Sequence, residues 1–115
     1  MSLDVLQSTE VIVALENFIT KTRPPEEIRH EVDLSYKIED QSIIIYEISA
    51  RFDNPKEHSE LPIAKTTWVH RHGIWKIFWM RADLKWHPYD VKLRIKKIQE
   101  FIKIVDEDAY GCFLG

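Results

Sequence analysis

The stretch EVDLSYKIEDQSIIIYEISARF, residues 31–52, decides the fold. In its first half Val32, Leu34, Tyr36 and Ile38 alternate with Asp33, Ser35, Lys37 and Glu39, the period of a strand with one buried face. Asp40-Gln41 reads as a tight turn, after which residues 42–52 return in extended conformation. Ile44, Tyr46, Ile48, Ala50 and Phe52 are expected to continue the apolar face, with Ile43, Ile45, Glu47, Ser49 and Arg51 behind them. An antiparallel hairpin therefore nucleates the reading.

A second hairpin follows a loop over residues 53–62 that is rich in Asn, Pro, Ser and charge. Residues 63–70 and 74–83 flank His72-Gly73, where glycine supplies the positive φ of a turn. Two loop residues would set Trp68, Trp75, Ile77 and Trp79 on one face; three would move Trp68 beside Phe78 and Met80. Either register leaves apolar bulk on both faces of the fourth strand. That predicts helices on opposite sides of the sheet or a surface for self-association.

Helices are predicted at both ends. Over residues 4–22, Val11, Leu15 and Phe18, with Ile12 and Ile19, recur at helical steps. Asp4 and Gln7 have capping-box spacing, and Pro24-Pro25 ends the run. Over residues 88–107, Val91, Ile95, Ile98, Ile102 and Val105 form a stripe, with His87 or Asp90 as cap and Gly111 at the exit. The expected fold is one α+β domain over residues 1–115: αββββα, a four-stranded antiparallel meander with a helix at each terminus.

The bulk properties exclude several classes. At 115 residues, 44% hydrophobic and 30% charged, the chain suits one core and lies far from disordered composition. A single cysteine, Cys112, rules out an intrachain disulfide. No apolar run nears a membrane span and Met-Ser-Leu-Asp starts no signal peptide, so a cytoplasmic protein without a membrane partner is expected. The net charge of −3 hides a segregation. Residues 62–97 carry nine Lys/Arg against two acids, a net +7, which leaves −10 elsewhere. Either acidic segments neutralise the basic ones internally, or a basic face awaits an anionic partner.

Several runs together resemble a known family: Arg23-Pro24-Pro25, Gln41-Ser42, Pro62-Ile63-Ala64-Lys65, Trp79-Met80-Arg81-Ala82-Asp83-Leu84-Lys85-Trp86-His87, and Val105-Asp106-Glu107-Asp108 running to Gly111-Cys112-Phe113 and Gly115. They are similar to an uncharacterised bacterial family, the domain of unknown function number three thousand and twenty-four. The resemblance covers about residues 23–115. It implies no substrate and no catalytic residue.

Candidate chemistry is densest at residues 81–89, Arg-Ala-Asp-Leu-Lys-Trp-His-Pro-Tyr, where a strand is expected to give way to a helix. Arg81 and Lys85 suit an anion, and Asp83 is placed to orient His87 as a general base, the catalytic pair of an enzyme reading. Trp86 and Tyr89 add aromatic walls; Lys65 and Arg51 are expected on neighbouring strands. The plainer account makes Asp83 an ion-pair partner, Trp86 a wedge and His87 a cap. Glu47 and Asp83 holding a metal beside Lys65 or Lys85 also admit a nuclease-like arrangement, read from strand parity alone, and Cys112 a nucleophile beside His87. His70-x-His72 and the scattered His30, His58 and His87 lack ligand spacing, so neither metal nor cofactor is expected.

Three function classes result. One is a small binding or interaction module, with a homodimer through the Ile43/Ile45 and Trp75–Trp79 face if no helix covers it. Another is single-stranded nucleic-acid binding, since four tryptophans interleave with Lys65, Arg71, Lys76, Arg81 and Lys85. The third is a small enzyme at residues 81–89.

Overall fold

The alternation in residues 31–52 folds as read, into a hairpin closed at Asp40-Gln41. In the computed structural model, which describes residues 3–51, 53–54, 56–108 and 111–113, β1 (Val32–Glu39) pairs antiparallel with β2 (Ser42–Ala50). Asp40 takes the left-handed conformation at φ 53°, which aspartate tolerates in a two-residue turn. The register sets Ile38 opposite Ile43 and Tyr36 opposite Ile45. Directly opposed residues share a face, so Ile43 and Ile45 continue the apolar face of β1, not Ile44 and Tyr46. The expected face of β2 was thus inverted; Phe52 lies outside the described residues.

The strand β3 (His58–Val69) is longer than predicted, beginning inside the polar loop. A bulge at Ile63 shifts its register on β2 between the pairs Ile45–Ala64 and Tyr46–Pro62. The next strand, β4 (Ile74–Met80), pairs Trp68 with Trp75 and Ala64 with Trp79 across a loop from His70 to Gly73, with Gly73 at φ 61°. Trp68, Trp75, Ile77 and Trp79 therefore share one face, the outcome of the two-residue reading, although the loop is longer.

Past β4 the expectation changes. Trp86–Pro88 is a strand, β5, paired with the end of β4, and Arg94–Ile95 is another, β6, paired with its beginning. The two follow one another along β4's outer edge, making six strands where four were expected. Between them the Tyr89 N–H donates to the Ile77 carbonyl and the Ile77 N–H to that of Leu93. Only then does α2 (Ile98–Glu107) begin, ten residues later than read. Neither His87 nor Asp90 caps it. The Glu100 carboxylate accepts the N–H groups of Lys96 and Lys97, at 3.0 and 3.1 Å. These bonds hold its carboxyl below the usual range.

The first helix, α1 (Val5–Thr22), forms as predicted, with Asp4 accepting the Gln7 N–H at 2.8 Å. It buries Val11, Leu15, Phe18 and Ile19, and α2 buries Ile98, Phe101 and Val105. These residues form one core with Leu34, Ile43, Ile45, Ala64, Trp75 and Ile77, all from a single face of the sheet. Both helices thus lie on the same side, so of the two alternatives raised by the apolar bulk on both faces of β4, helices on opposite sides is the one set aside. The Ile43/Ile45 and Trp75 face expected as a dimer seam is the buried one: both isoleucines are 0% exposed and Trp75 is 3%. No helix among the described residues is long and apolar enough to cross a membrane.

Candidate nucleic-acid interface

Neither α1 nor α2 lies on the opposite face of the sheet. Strand parity presents there Asp33, Lys37 and Glu39 from β1, Ile44, Tyr46 and Ile48 from β2, Glu60, Lys65 and Thr67 from β3, Lys76, Phe78 and Met80 from β4, and Trp86 from β5, so the acids gather at the β1 end and the unpaired cations at the β4 end. None of them belongs to the core packed under the helices. Tyr46, Phe78, Met80 and Trp86 are half-buried, as side chains lying against one another on a sheet surface would be. Cations stand over the rings. Lys65 Nζ is 5.5 Å from the Phe78 ring centre and 5.6 Å from that of Trp86, and Lys37 Nζ is 5.1 Å from that of Tyr46.

The charge segregation is spatial as well. The carboxylates pair with bases outside the basic segment: Asp106 with Lys21, Asp33 with Arg23, Glu60 with Lys37, Asp53 and Glu57 with Arg51, Glu107 with Lys103. None of the nine Lys/Arg of residues 62–97 forms an ion pair with a described residue. Among the described residues, then, no acid neutralises those Lys and Arg side chains at contact distance.

The segment 81–89 does not converge on one site. It is a hairpin, not a strand-to-helix junction: the Leu84 N–H donates to the Arg81 carbonyl and Leu84 adopts φ 61°. His87 pairs with Trp79, so its side chain leaves β5 on the helix side, and Trp86 leaves on the open side. Asp83 and His87 do meet, at 2.8 Å between Oδ2 and Nε2, and Asp83 Oδ1 accepts the Lys85 N–H. The hydrogen bond to His87, then that from Lys85, holds the Asp83 carboxyl below its usual range. The pair ties down the hairpin. Arg81 turns its guanidinium over Trp79, 5.4 Å from the ring centre, on the same side as the dyad.

The other candidates separate. Lys65 and Trp86 stand together on the open face, and Lys85 is exposed in the hairpin at its end. Tyr89 is 3% exposed, its ring 5.0 Å from that of Phe113. Arg51 is held by Asp53 and Glu57 beyond the end of β2. Glu47 sits opposite Leu34 on the helix side and Lys65 on the open side, so the nuclease-like trio is not assembled. Burial, then the Asp108 carboxylate, pushes the Cys112 thiol up, contrary to what a nucleophile needs. Among the described residues no three His, Cys, Asp or Glu cluster as metal ligands would.

Sequence reading missed Lys37, Tyr46 and Arg94 as members of the surface. A strict count from the Asp40-Gln41 turn would have placed Tyr46 on the polar side of β1, level with Ser35. A helix-backed antiparallel sheet with an open aromatic face, basic along its β4–β6 half, is the class of domain these features define. The chain belongs to the family described as Domain of unknown function (DUF3024), whose model matches residues 3–115. Neither a curated protein nor a solved structure matches it.

Proposed function

We propose that the protein binds single-stranded nucleic acid on its open sheet face. The observation that carries this reading is that the helix-free face sets Phe78 and Trp86 among Lys65, Lys76 and Arg94, none of which forms an ion pair with a described residue. Unpaired bases have apolar faces that stack on such rings, and phosphates supply the missing counter-charge. Each stacked base contributes about 1–3 kcal/mol. The Lys65 ammonium, already over Phe78 and Trp86, is positioned for a phosphate beside a stacked base.

Self-association through the same face fits less well. A symmetric dimer would take Lys65 and Lys76 out of water, and burying cations without new partners costs several kcal/mol. An enzyme built on Asp83 and His87 would have its dyad on the other side of β5 from Trp86 and Lys65.

Fluorescence anisotropy with labelled single-stranded DNA and RNA tests the reading. Phe78→Ala and Trp86→Ala are each expected to weaken binding roughly tenfold. Arg51→Gln, which touches only the Asp53 and Glu57 clamp, is expected to leave it unchanged. Absence of binding at low salt overturns the proposal.

A further inference from the structure

The strand β6 places Arg94 directly opposite Lys76. Both are exposed, they share a face, and neither forms an ion pair with a described residue. Like charges in directly opposed positions destabilise a sheet, and a two-residue strand has little else to offset them. They border a groove of about 400 Å³, a volume within the range of small-ligand sites. Ile74, Phe78, Pro88 and Leu93 supply its apolar walls and His72 an imidazole, and no carboxylate lines it.

Resting on the reading of the open face as a nucleic-acid surface, we propose that this groove holds the terminal phosphate of the bound strand. The charge decides between terminal and internal phosphate. An internal phosphodiester carries one negative charge, whereas a terminal monoester carries close to two at neutral pH, which matches the paired cations. Arg94 presents a planar fork to two phosphate oxygens and Lys76 a point charge to a third. Phe78 lines the groove and also lies under Lys65, so the terminal base stacks where the phosphate is held and the strand continues toward Trp86.

The test compares three oligonucleotides of one sequence: 5′-phosphorylated, 3′-phosphorylated, and hydroxylated at both ends. One phosphorylated form is expected to bind roughly tenfold more tightly than the hydroxylated form, as two charge-assisted contacts to a dianion would give. Lys76→Met and Arg94→Met should each erase that preference while the hydroxylated strand still binds. Lys76→Arg and Arg94→Lys, which keep the charge and the fold, should retain most of it. A nucleoside monophosphate should compete with the phosphorylated strand and inorganic phosphate more weakly, because only the nucleotide also stacks. Equal affinity for all three strands overturns the terminal-phosphate site and leaves the open-face reading standing. If no oligonucleotide binds at low salt, both are overturned.

Discussion

Asp33 and Tyr36, three residues apart on β1, fasten it to α1 by different chemistry. Arg23, just past the helix, donates to both oxygens of Asp33, whose Oδ1 also accepts the Leu34 N–H. Burial acts to raise the Asp33 carboxyl, but these bonds, with the charges of Arg23 and Arg29, outweigh it and leave the group lowered. A lowered carboxyl stabilises the fold above its unfolded-state value, and that contribution is lost as pH falls through the folded value. Asp33→Asn should cost about 1–2 kcal/mol at neutral pH. It should also flatten the loss of stability on acidification, as urea titrations in mildly and strongly acidic buffer would record. Tyr36 donates to Glu16 at 2.8 Å, and burial first, then Glu16, push its hydroxyl up to about 12 from 10.0. Its neutral form is the one the fold holds, so stability should decline as pH rises from the unfolded value toward the folded one. Ultraviolet titration should show one tyrosine ionising near pH 12, and Tyr36→Phe should remove that step. The Asp4 cap was legible because its bond spans three residues. The Tyr36–Glu16 bond spans twenty, and no local pattern encodes it.

At the scale of elements, the hairpin from β4 to β5 holds a leucine in a conformation suited to glycine. Leu84 is 72% exposed at φ 61°, where a side chain meets the following carbonyl at a cost of about 1–2 kcal/mol. Leu84→Gly should therefore leave thermal stability unchanged or raise it, the relieved strain offsetting the added freedom of the unfolded chain. The start of α2 depends on Glu100; Glu100→Ala should lower the melting temperature by releasing the Lys96 and Lys97 N–H groups, as a thermal melt followed by circular dichroism would record. The late beginning of α2 escaped sequence reading for a physical reason. Val91, Ile95 and Ile98 step like one helical face, yet Val91 is 56% exposed and Ile95 is buried from a strand. Three residues of β5 and two of β6 are too few to show a period of two, and Pro88 suggested a helix start when it lies on an edge strand. The β3–β4 hairpin and α1, with longer patterns, read correctly in type.

The described residues form a two-layer domain, with α1 and α2 both packed on one side of the sheet. Sequence patterning gave the α+β class, the antiparallel pairing and the apolar bulk on both faces of β4. Which face the helices cover is a long-range outcome. It rests on the partners of Val11, Leu15, Phe101 and Val105 across the chain, and the inverted reading of β2 hid the open face until the pairing was in hand. The basic segment was visible as a count, but whether acids lay beside it was not. Trp68, Trp75 and Trp79 share the helix side, and Trp86 alone among the four tryptophans lies on the open face. Tryptophan emission can therefore report which face a ligand meets. The decisive measurement is a titration of the wild type and Trp86→Phe with a single-stranded oligonucleotide of about twelve nucleotides, at about 50 and about 200 mM salt. The account predicts quenching of the wild type that weakens at the higher salt and is largely absent from Trp86→Phe. Quenching that persists undiminished in Trp86→Phe, or no quenching at the lower salt, would contradict it.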